Sequence, residues 1–306
     1  MNRFTRTAWA AVGLTVFVIL WGAVVRATGS GAGCGNDWPT CNGGALPLTG
    51  SSDTIIELVH RLTSAALGLV IVYLLILAVR SFPSRHRVRL AAWATLGLVV
   101  VESLIGAGLV LFEQTGDFEG VSRAYWQAGH FTNTMLLLAA VTLTAWWASA
   151  SYSTEARSTT RREKWMIVGV GAAMLAVGVS GAIAALGDTL FPVDSFLEGL
   201  ERELSAAGHL FERLRVWHPV IAVGAGFSAL WVSNRLAENR GERISRMART
   251  VTVIVFGQLA LGVVNVLLAA PVWMQLVHLL VADVLWMSLV VLAADVFTVA
   301  RDKVSA

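Results

Sequence analysis

Eight long apolar runs, separated by short polar segments, constrain the fold of this chain more than any other feature. A run of roughly 20 apolar residues crosses the ~30 Å hydrocarbon core of a bilayer as one helix. The runs cover residues 8–26, 55–79, 90–112, 124–150, 165–186, 216–232, 251–270 and 272–300. Of the 306 residues, 56% are hydrophobic and 14% charged, more apolar surface than a water-soluble globule can bury. Because the runs lack the alternation of barrel strands, we predict an all-α membrane protein with eight transmembrane helices.

The basic residues predict the orientation of these helices, because Lys and Arg are enriched in short cytoplasmic loops. Seventeen of the 23 basic residues lie at the two ends of the chain and in alternate connections. They are Arg3, Arg6, Arg80, Arg85, Arg87, Arg89, Arg157, Arg161, Arg162, Lys164, Arg235, Arg240, Arg243, Arg246, Arg249, Arg301 and Lys303. The remaining connections are rich in Asp and Glu. We therefore expect both termini in the cytoplasm and residues 29–43 on the extracytoplasmic side.

The first apolar run has an alternative interpretation as a cleaved signal peptide. The sequence "GAGC" at residues 31–34 resembles a lipoprotein cleavage box. However, Arg26 and several small or polar residues separate the run from Cys34, and Gly31 stands where an aliphatic residue is usual. We therefore favour a first helix that is retained.

Sequence similarity between the two halves predicts a duplication. "WGAVVRATGSG" in the first run aligns with "SGAIAALGDTL" in the fifth, which pairs Gly22 with Gly181. "ESLIGAGLV" in the third run aligns with "QLALGVVNV" in the seventh, which pairs Gly106 with Gly262. Because each copy contains four helices, both copies face the same way. We predict two parallel, pseudo-symmetric four-helix bundles.

Histidines open each even-numbered helix near its outer end, whereas His86 and His209 lie in loops. The four are His60, His130, His218 and His278. A histidine in a membrane is costly without a partner, and a single one often only bonds to a neighbouring helix. Four at repeated positions instead favour a functional role. Two imidazoles across a four-helix bundle suit haem iron, and the natural pairs are the first two and the last two. Zinc or copper is less favoured, since HxxxH and HxH motifs are absent from the sequence.

The two halves differ in the residues beside their first histidine. Glu57 lies one turn before His60 on the same helix face, whereas Arg215 holds the corresponding position before His218. A carboxylate there has a structural interpretation, which is pairing with Arg61 or hydrogen bonding to a histidine. Its presence in only one half favours a catalytic role for Glu57.

Basic side chains near the predicted outer ends are candidates for binding haem propionates. They are Arg26 and Arg61 in the first half, and Arg213 and Arg215 in the second.

The stretch "GSGAGCGNDWPTCNG", residues 29–43, holds both cysteines. It resembles a nucleotide-binding glycine loop only superficially, because it follows a membrane helix rather than a strand. A metal clip lacks ligands, since the two cysteines have no histidine between them. On an oxidising outer side we predict a disulfide between Cys34 and Cys41, with free thiols as the alternative. The closed loop would hold Trp38 over the first histidine pair, either as a structural lid or as a redox participant.

Together, "GSGAGCGNDWPTCNG", the following "IIELVHRLTS" and the single histidines that open helices four, six and eight resemble the haem A synthase family. The resemblance covers nearly the whole chain and is most specific at residues 28–61. It implies an eight-helix, multi-pass protein of a bacterial plasma membrane. It also implies a reaction, the oxidation of the C8 methyl group of haem O to a formyl group by successive hydroxylations and loss of water.

The resemblance further implies different roles for the two halves. Residues 1–150 would hold the substrate haem, with Glu57 as the essential acidic residue, and residues 151–306 would hold a resident haem b for electron transfer. Each haem would be bound by the histidine pair of its half. The implied partners are the prenyltransferase that makes haem O and the assembly of cytochrome oxidase.

Two departures from the family pattern concern the second half. Its outer loop lacks the second cysteine pair that some members carry, and Pro219 replaces the basic residue that follows the equivalent histidine. Two other functions compete with the synthase. One is a bis-histidine diheme b-type electron carrier, and the other is a duplicated transporter that uses histidines as proton relays.

Overall fold

The computed structural model describes residues 3–44, 50–149, 159–205 and 208–298. The ends of the predicted runs at 124–150 and 272–300, and the basic residues Arg157, Arg301 and Lys303, lie partly or wholly outside the described residues. The described part is helical, with one 3-10 turn at Ser30–Ala32. In chain order its helices are α1 (Arg3–Ala27), α2 (Ser52–Ser81), α3 (Arg87–Leu111), α4 (Val121–Ser149), α5 (Arg161–Leu190), α6 (Phe196–Leu204), α7 (Leu210–Arg215), α8 (Trp217–Ala237), α9 (Glu242–Leu267) and α10 (Val272–Thr298).

Eight of the described segments are long and apolar enough to cross a membrane, and α7 continues into α8 as one of them. The all-α, eight-span prediction is therefore confirmed. Each span overlaps its predicted run, but α9 begins nine residues before the run at 251 because the charged residues around Arg246 continue the helix. It also ends early, since Ala269 and Ala270 adopt positive φ angles of 56° and 52° just before Pro271.

The long helices pack in two groups of four. In the first group each helix from α1 to α4 contacts the next, and α4 contacts α1. In the second group α5 contacts α8, α8 contacts α9, α9 contacts α10, and α10 contacts α5. The groups meet where α1 and α4 contact α5 and α10. The duplication and the side of the membrane on which the termini lie remain predictions.

Indole groups make hydrogen bonds across the boundary between the two groups. Trp286 Nε1 of α10 donates to the carbonyl oxygen of Met135 in α4 at 2.8 Å. Trp146 Nε1 of α4 donates to Asp295 Oδ1 of α10 at 2.7 Å, and Arg243 pairs with the same carboxylate at 2.7 Å. Because an unpaired polar group in hydrocarbon is costly, these bonds favour one register between α4 and α10.

The two loop histidines cap helices. His86 accepts a hydrogen bond from the Val88 backbone N–H at the start of α3, and burial lowers its pKa, with Arg87 contributing in the same direction. A lower pKa keeps the ring neutral, as an acceptor must be. His209 caps α7 in the same way. Helices α6 and α7 lie in the segment that the sequence interpretation treated as a polar loop.

A buried ion pair at the opposite end from the four histidines provides a test of the packing. Arg240 Nη2 lies 3.0 Å from Glu163 Oε2, and both side chains are less than one-tenth exposed. Glu163→Gln keeps the N-terminal capping geometry that Glu163 forms with Thr160 but removes the negative charge. Leaving Arg240 unpaired should cost about 3 kcal/mol. We expect the thermal unfolding midpoint of the detergent-solubilised protein to fall clearly.

The matched control is Glu242→Gln, because Glu242 pairs with Arg249 on the surface, where both side chains are about two-thirds exposed. That variant should unfold at the temperature of the unmodified protein. Equal midpoints for both variants would contradict a structural role of the buried pair.

Candidate functional site

The four membrane histidines all lie at one end of the bundle, which we call the histidine end. It is formed where α1, α3, α5 and α9 end and where α2, α4, α8 and α10 begin. Each histidine lies within the first ten residues of its helix. All four therefore lie towards the same end of the bundle.

A glycine of the preceding long helix lies against each histidine ring. At these positions even a single added Cβ would come close to the ring. Its distance to the histidine Cε1 atom would be 2.9 Å for Gly181 with His218, 3.0 Å for Gly22 with His60, 3.3 Å for Gly262 with His278 and 3.9 Å for Gly106 with His130. These glycines are the ones that the sequence repeat pairs. At Gly22, Gly181 and Gly262 the absence of a side chain lets the ring lie close to the neighbouring helix backbone, whereas the contact at Gly106 would be an ordinary one.

The second histidine pair has the spacing that one metal ion requires. The ring centroids of His218 and His278 are 6.4 Å apart, and the rings are nearly perpendicular. Metal bonds to histidine nitrogen are about 2 Å long, so two imidazoles on opposite sides of one metal have centroids about 6 Å apart. The Ser180 hydroxyl lies 3.1 Å from His218 Nδ1, and the Gln258 amide nitrogen lies 3.1 Å from His278 Nε2.

The histidines also retain unused nitrogen atoms. The Nδ1 atoms of His60, His130 and His278 are buried and make no hydrogen bond to any described residue. A buried imidazole nitrogen without a partner is costly, and a metal ion would remove that cost. The His218 and His278 rings therefore fit a haem iron between them, and His60 and His130 stand at the equivalent positions of the sequence repeat.

Glu102 of α3 is a polar residue of this site that the sequence interpretation did not single out. Its Oε1 atom lies 3.1 Å from His130 Nδ1 and accepts a hydrogen bond from the Thr134 hydroxyl. Its Oε2 atom accepts from Asn133 Nδ2 at 2.6 Å. The signal in the sequence was a carboxylate inside the apolar run 90–112, where a charge without partners is costly.

Glu57, the predicted catalytic residue, is buried at 4% exposure and already engaged. Its Oε2 atom accepts a hydrogen bond from the Cys34 backbone N–H at 2.9 Å. Its Oε1 atom pairs with Arg61, which donates through Nε at 3.0 Å and through Nη2 at 2.5 Å. The predicted pairing with Arg61 is thus present, and the carboxylate also holds the cysteine loop.

The cysteine loop forms the predicted disulfide between Cys34 and Cys41, with an S–S distance of 2.03 Å. Both cysteines are buried against Leu58 of α2. Arg61 Nη1 donates to the carbonyl oxygens of Asp37 and Thr40, each at 2.6 Å.

The loop also packs tightly on the start of α2. A Cβ on Gly33 would lie 2.4 Å from the Asp53 backbone, so only glycine permits this approach. Trp38, the predicted cover of the first histidine pair, is two-fifths exposed.

Arg26 makes its hydrogen bonds in the opposite half of the protein. From the end of α1 it donates to the Ala185 carbonyl at 2.5 Å and the Thr189 hydroxyl at 2.8 Å in α5. It also donates to Gln275 Oε1 of α10 at 2.7 Å. The acceptors of these hydrogen bonds are all neutral groups. The sequence interpretation assigned Arg26 to the first half and did not foresee these contacts.

Arg215, the other propionate candidate, lies in an acidic cluster. It donates to Asp188 Oδ1 at 3.1 Å and to the Phe191 carbonyl at 3.0 Å. Carboxylate oxygens of Glu203 and Glu212 each lie 4.0 Å from it. Three carboxylates around one guanidinium offset its charge, which makes Arg215 a weaker site for an additional anion than Arg26.

The fold and the site together define a multi-pass helical membrane protein with four histidines embedded at one end. A model of the COX15-CtaA family, described as cytochrome oxidase assembly protein, matches residues 5–290. The chain belongs to this family, which is that of the haem A synthases. The resemblance found in the sequence is therefore confirmed.

Individual relatives carry two different names. The chain is 44% identical over 275 residues to a protein of Thermus thermophilus named Protoheme IX farnesyltransferase. The match covers 90% of this chain but 45% of that relative, so the chain spans about half the length of this relative. The chain is also 39% identical over 117 residues to a protein of Bacillus cereus named Heme A synthase. This aligned region covers 37% of this chain and 37% of that relative.

The acidic cluster predicts how stability depends on pH. Burial raises the pKa of the Glu203 carboxyl; Arg215 opposes this effect, and Asp188 and Glu212 add to it. Between the ordinary glutamate pKa and the raised value, the folded protein binds more protons than the unfolded one, so stability falls as pH rises. At pH values above this interval, Glu203→Gln should raise the thermal unfolding midpoint. It should also make the midpoint depend less on pH.

The control is Glu201→Gln, because Glu201 is exposed on the same short helix α6. Melting curves across the acidic and neutral range should match those of the unmodified protein. If Glu203→Gln instead lowers the midpoint at neutral pH, its carboxylate stabilises the cluster through Arg215 and the expectation fails.

Proposed function

We propose that this chain is a haem A synthase, a haem-dependent oxidoreductase that oxidises the C8 methyl group of haem O to a formyl group. The observation that carries the proposal is the set of four membrane histidines, each seated on a glycine, in a chain of this family. Conversion of a methyl to a formyl group raises the oxidation level of that carbon by four electrons. The protein must therefore hold the substrate near a group that accepts electrons.

The two histidine pairs are assigned to two haems. His60 and His130 would hold haem O, the substrate, in the half formed by residues 1–150. His218 and His278 would hold a resident haem b in residues 151–306, where their 6.4 Å spacing fits one iron. A haem b bound there supplies one-electron redox chemistry. The repeated glycine and histidine positions support a parallel duplication of the two halves.

Glu57 is the proposed acidic residue of the reaction. Its position in α2, one turn from His60, suits a group that accepts a proton or stabilises positive charge near the reacting carbon. Arg61 and the Cys34 N–H keep the carboxylate in one orientation. The same bonds attach the disulfide loop to α2, which supports a structural lid rather than a redox role for Cys34 and Cys41.

Arg26 is the preferred propionate partner in this proposal, because its hydrogen bonds go to neutral groups. Arg61 and Arg215 already pair with carboxylates. The distribution of basic residues supports a topology with both termini in the cytoplasm. The histidine end and its loops then face the outside of a bacterial plasma membrane.

Two partners follow from the proposed substrate and product. An enzyme that attaches a farnesyl group to haem must supply haem O, and the similarity to a protein named Protoheme IX farnesyltransferase is consistent with such a link. More than half of that relative lies outside the aligned region. The family description supports delivery of the product to cytochrome oxidase assembly.

Haem extraction tests the reaction directly. Cells that express this chain together with a haem O source should accumulate haem A, detected as the formyl derivative by chromatography and mass spectrometry. Glu57→Gln keeps an acceptor for the Cys34 N–H but removes the charge. It should retain bound haem and lower haem A formation by at least about 100-fold, as expected for loss of a general acid-base group.

Glu113→Gln is the control, because Glu113 is an exposed carboxylate that accepts a hydrogen bond from Asn36 of the cysteine loop. It should form haem A at the normal rate. Bound haem without any haem A in the unmodified protein would favour the diheme electron carrier, and a colourless preparation would favour a transporter. Normal haem A formation by Glu57→Gln would exclude a catalytic role for that residue.

The glycine contacts predict which substitutions disturb a haem site. Gly181→Ala would place a Cβ 2.9 Å from the His218 ring, so the ring must move. We expect the purified variant to lose haem from the second pair, seen as a fall in the haem-to-protein ratio. Gly106→Ala is the matched control, because its Cβ would lie at an ordinary 3.9 Å from His130. If both variants bind haem like the unmodified protein, the glycines do not seat the ligands.

A further inference from the structure

The structure points to a difference between the two histidine pairs that lies in the residues behind them rather than in the histidines. We propose that Glu102 is a positioning residue whose negative charge makes His130 a stronger electron donor to iron. The haem of the N-terminal half would then have a lower reduction potential than the haem of the C-terminal half. This inference rests on the histidine pairs of the proposed function and goes beyond their ligand role.

The groups around Glu102 suit a negatively charged carboxylate. The carboxylate lies 3.1 Å from His130 Nδ1. It also accepts hydrogen bonds from the Asn133 amide and the Thr134 hydroxyl. Asn133 is itself buried, and its amide also donates to the Leu98 carbonyl, which fixes its orientation. Two hydrogen-bond donors thus hold the carboxylate next to the His130 ring, within the apolar helix pair α3 and α4.

The second half has an uncharged residue at the position that corresponds to Glu102. Glu102 stands four residues before Gly106, and Gln258 stands four residues before Gly262. The Gln258 amide contacts the ring of His278, as Glu102 contacts that of His130, although it does so at Nε2 instead of Nδ1. A neutral amide therefore takes the place of the carboxylate.

The donors change together with the acceptor. Asn133 and Thr134 follow His130 by three and four residues, and the corresponding residues after His278 are Val281 and Ala282. The Oε1 atom of Gln258 is accordingly buried with no hydrogen-bond partner among the described residues. A role that only tied two helices together would not require the carboxylate and both of its donors to differ as a set between the halves.

The chemical consequence follows from the action of a carboxylate on a coordinated imidazole. A carboxylate held close to the second ring nitrogen makes a coordinated histidine a more basic ligand. Greater electron donation and an added negative charge both favour ferric over ferrous iron, which lowers the reduction potential. A lower potential in the first half favours movement of electrons from that half to the second.

The test measures the reduction potential of each haem in the purified full-length protein loaded with haem b, by redox titration followed by absorption. The two haems are assigned with a His278→Ala variant, in which the first pair remains intact. Glu102→Gln should increase the equilibrium constant for reduction of the N-terminal haem at least about tenfold. For a one-electron couple this equals a rise of about 59 mV. The C-terminal haem should keep its potential and serves as the internal control.

A second variant keeps the proposal testable if Glu102→Gln does not hold haem. The triple substitution Gln258→Glu, Val281→Asn and Ala282→Thr transfers the carboxylate and its donors to the second half. It should lower the potential of the C-terminal haem and leave the other unchanged. Altered unfolding temperatures with unchanged potentials in both variants would show a structural tie only and overturn the inference. Because the potentials are measured without haem O, this result is independent of whether haem A forms.

Discussion

The close contact between a glycine on one helix and a histidine on the next is the interaction on which the rest of the site depends. A histidine ring in hydrocarbon needs a defined partner, and its position is defined only if the neighbouring backbone can approach it. Glycine permits that approach, as small residues do in helix packing within membranes. The tightest contacts, at Gly22 and Gly181, place His60 and His218 where α1 and α5 end. Each ring is thereby fixed by the backbone, which moves less than any side chain.

The same contact occurs in both halves, but the surroundings of the rings differ in polarity. In the first half carboxylates lie beside or near the histidines, namely Glu102 at His130 and Glu57 one turn before His60. In the second half the groups that contact the rings are neutral, the Ser180 hydroxyl and the Gln258 amide, and the residue one turn before His218 is the basic Arg215. Two halves with one ligand geometry but different charge suit two different tasks. The proposed assignment of substrate chemistry to the first half and electron transfer to the second rests on this difference.

The features that could be predicted from sequence are those with a strong local signal. Apolar run length predicts the eight spans, because only an intact helix satisfies its backbone in lipid. The glycine and histidine repeats predict the residues of the site, and the two cysteines predict the disulfide. Helix ends are harder to predict, since the early end of α9 depends on the left-handed backbone of Ala269 and Ala270. Local periodicity carries little information about such turns.

Contacts between segments distant in the chain were not predicted. Apolar periodicity does not reveal that Glu57 bonds to the backbone of Cys34, or that Glu102 faces His130. Glu102 stands inside an aligned segment, and Gln258 stands at the equivalent position of the second half. The contacts of these two residues with histidines cannot be inferred until the positions of α4 and α10 are known. The unusual feature visible beforehand was a lone acidic residue in an apolar run. In a membrane protein that observation carries the same weight as a histidine, because both are costly without a partner.

Arg26 shows how the two halves are joined at the histidine end. It follows Gly22 by four residues on α1, the helix that seats His60. Its bond to Gln275 reaches α10 three residues before His278. A single charged side chain therefore links the helix behind one ligand to the helix that carries another. In an apolar surrounding such a hydrogen bond has no water to compete with it and is stronger than at a surface. The two groups of helices are thus joined at the histidine end by the hydrogen bonds of one arginine.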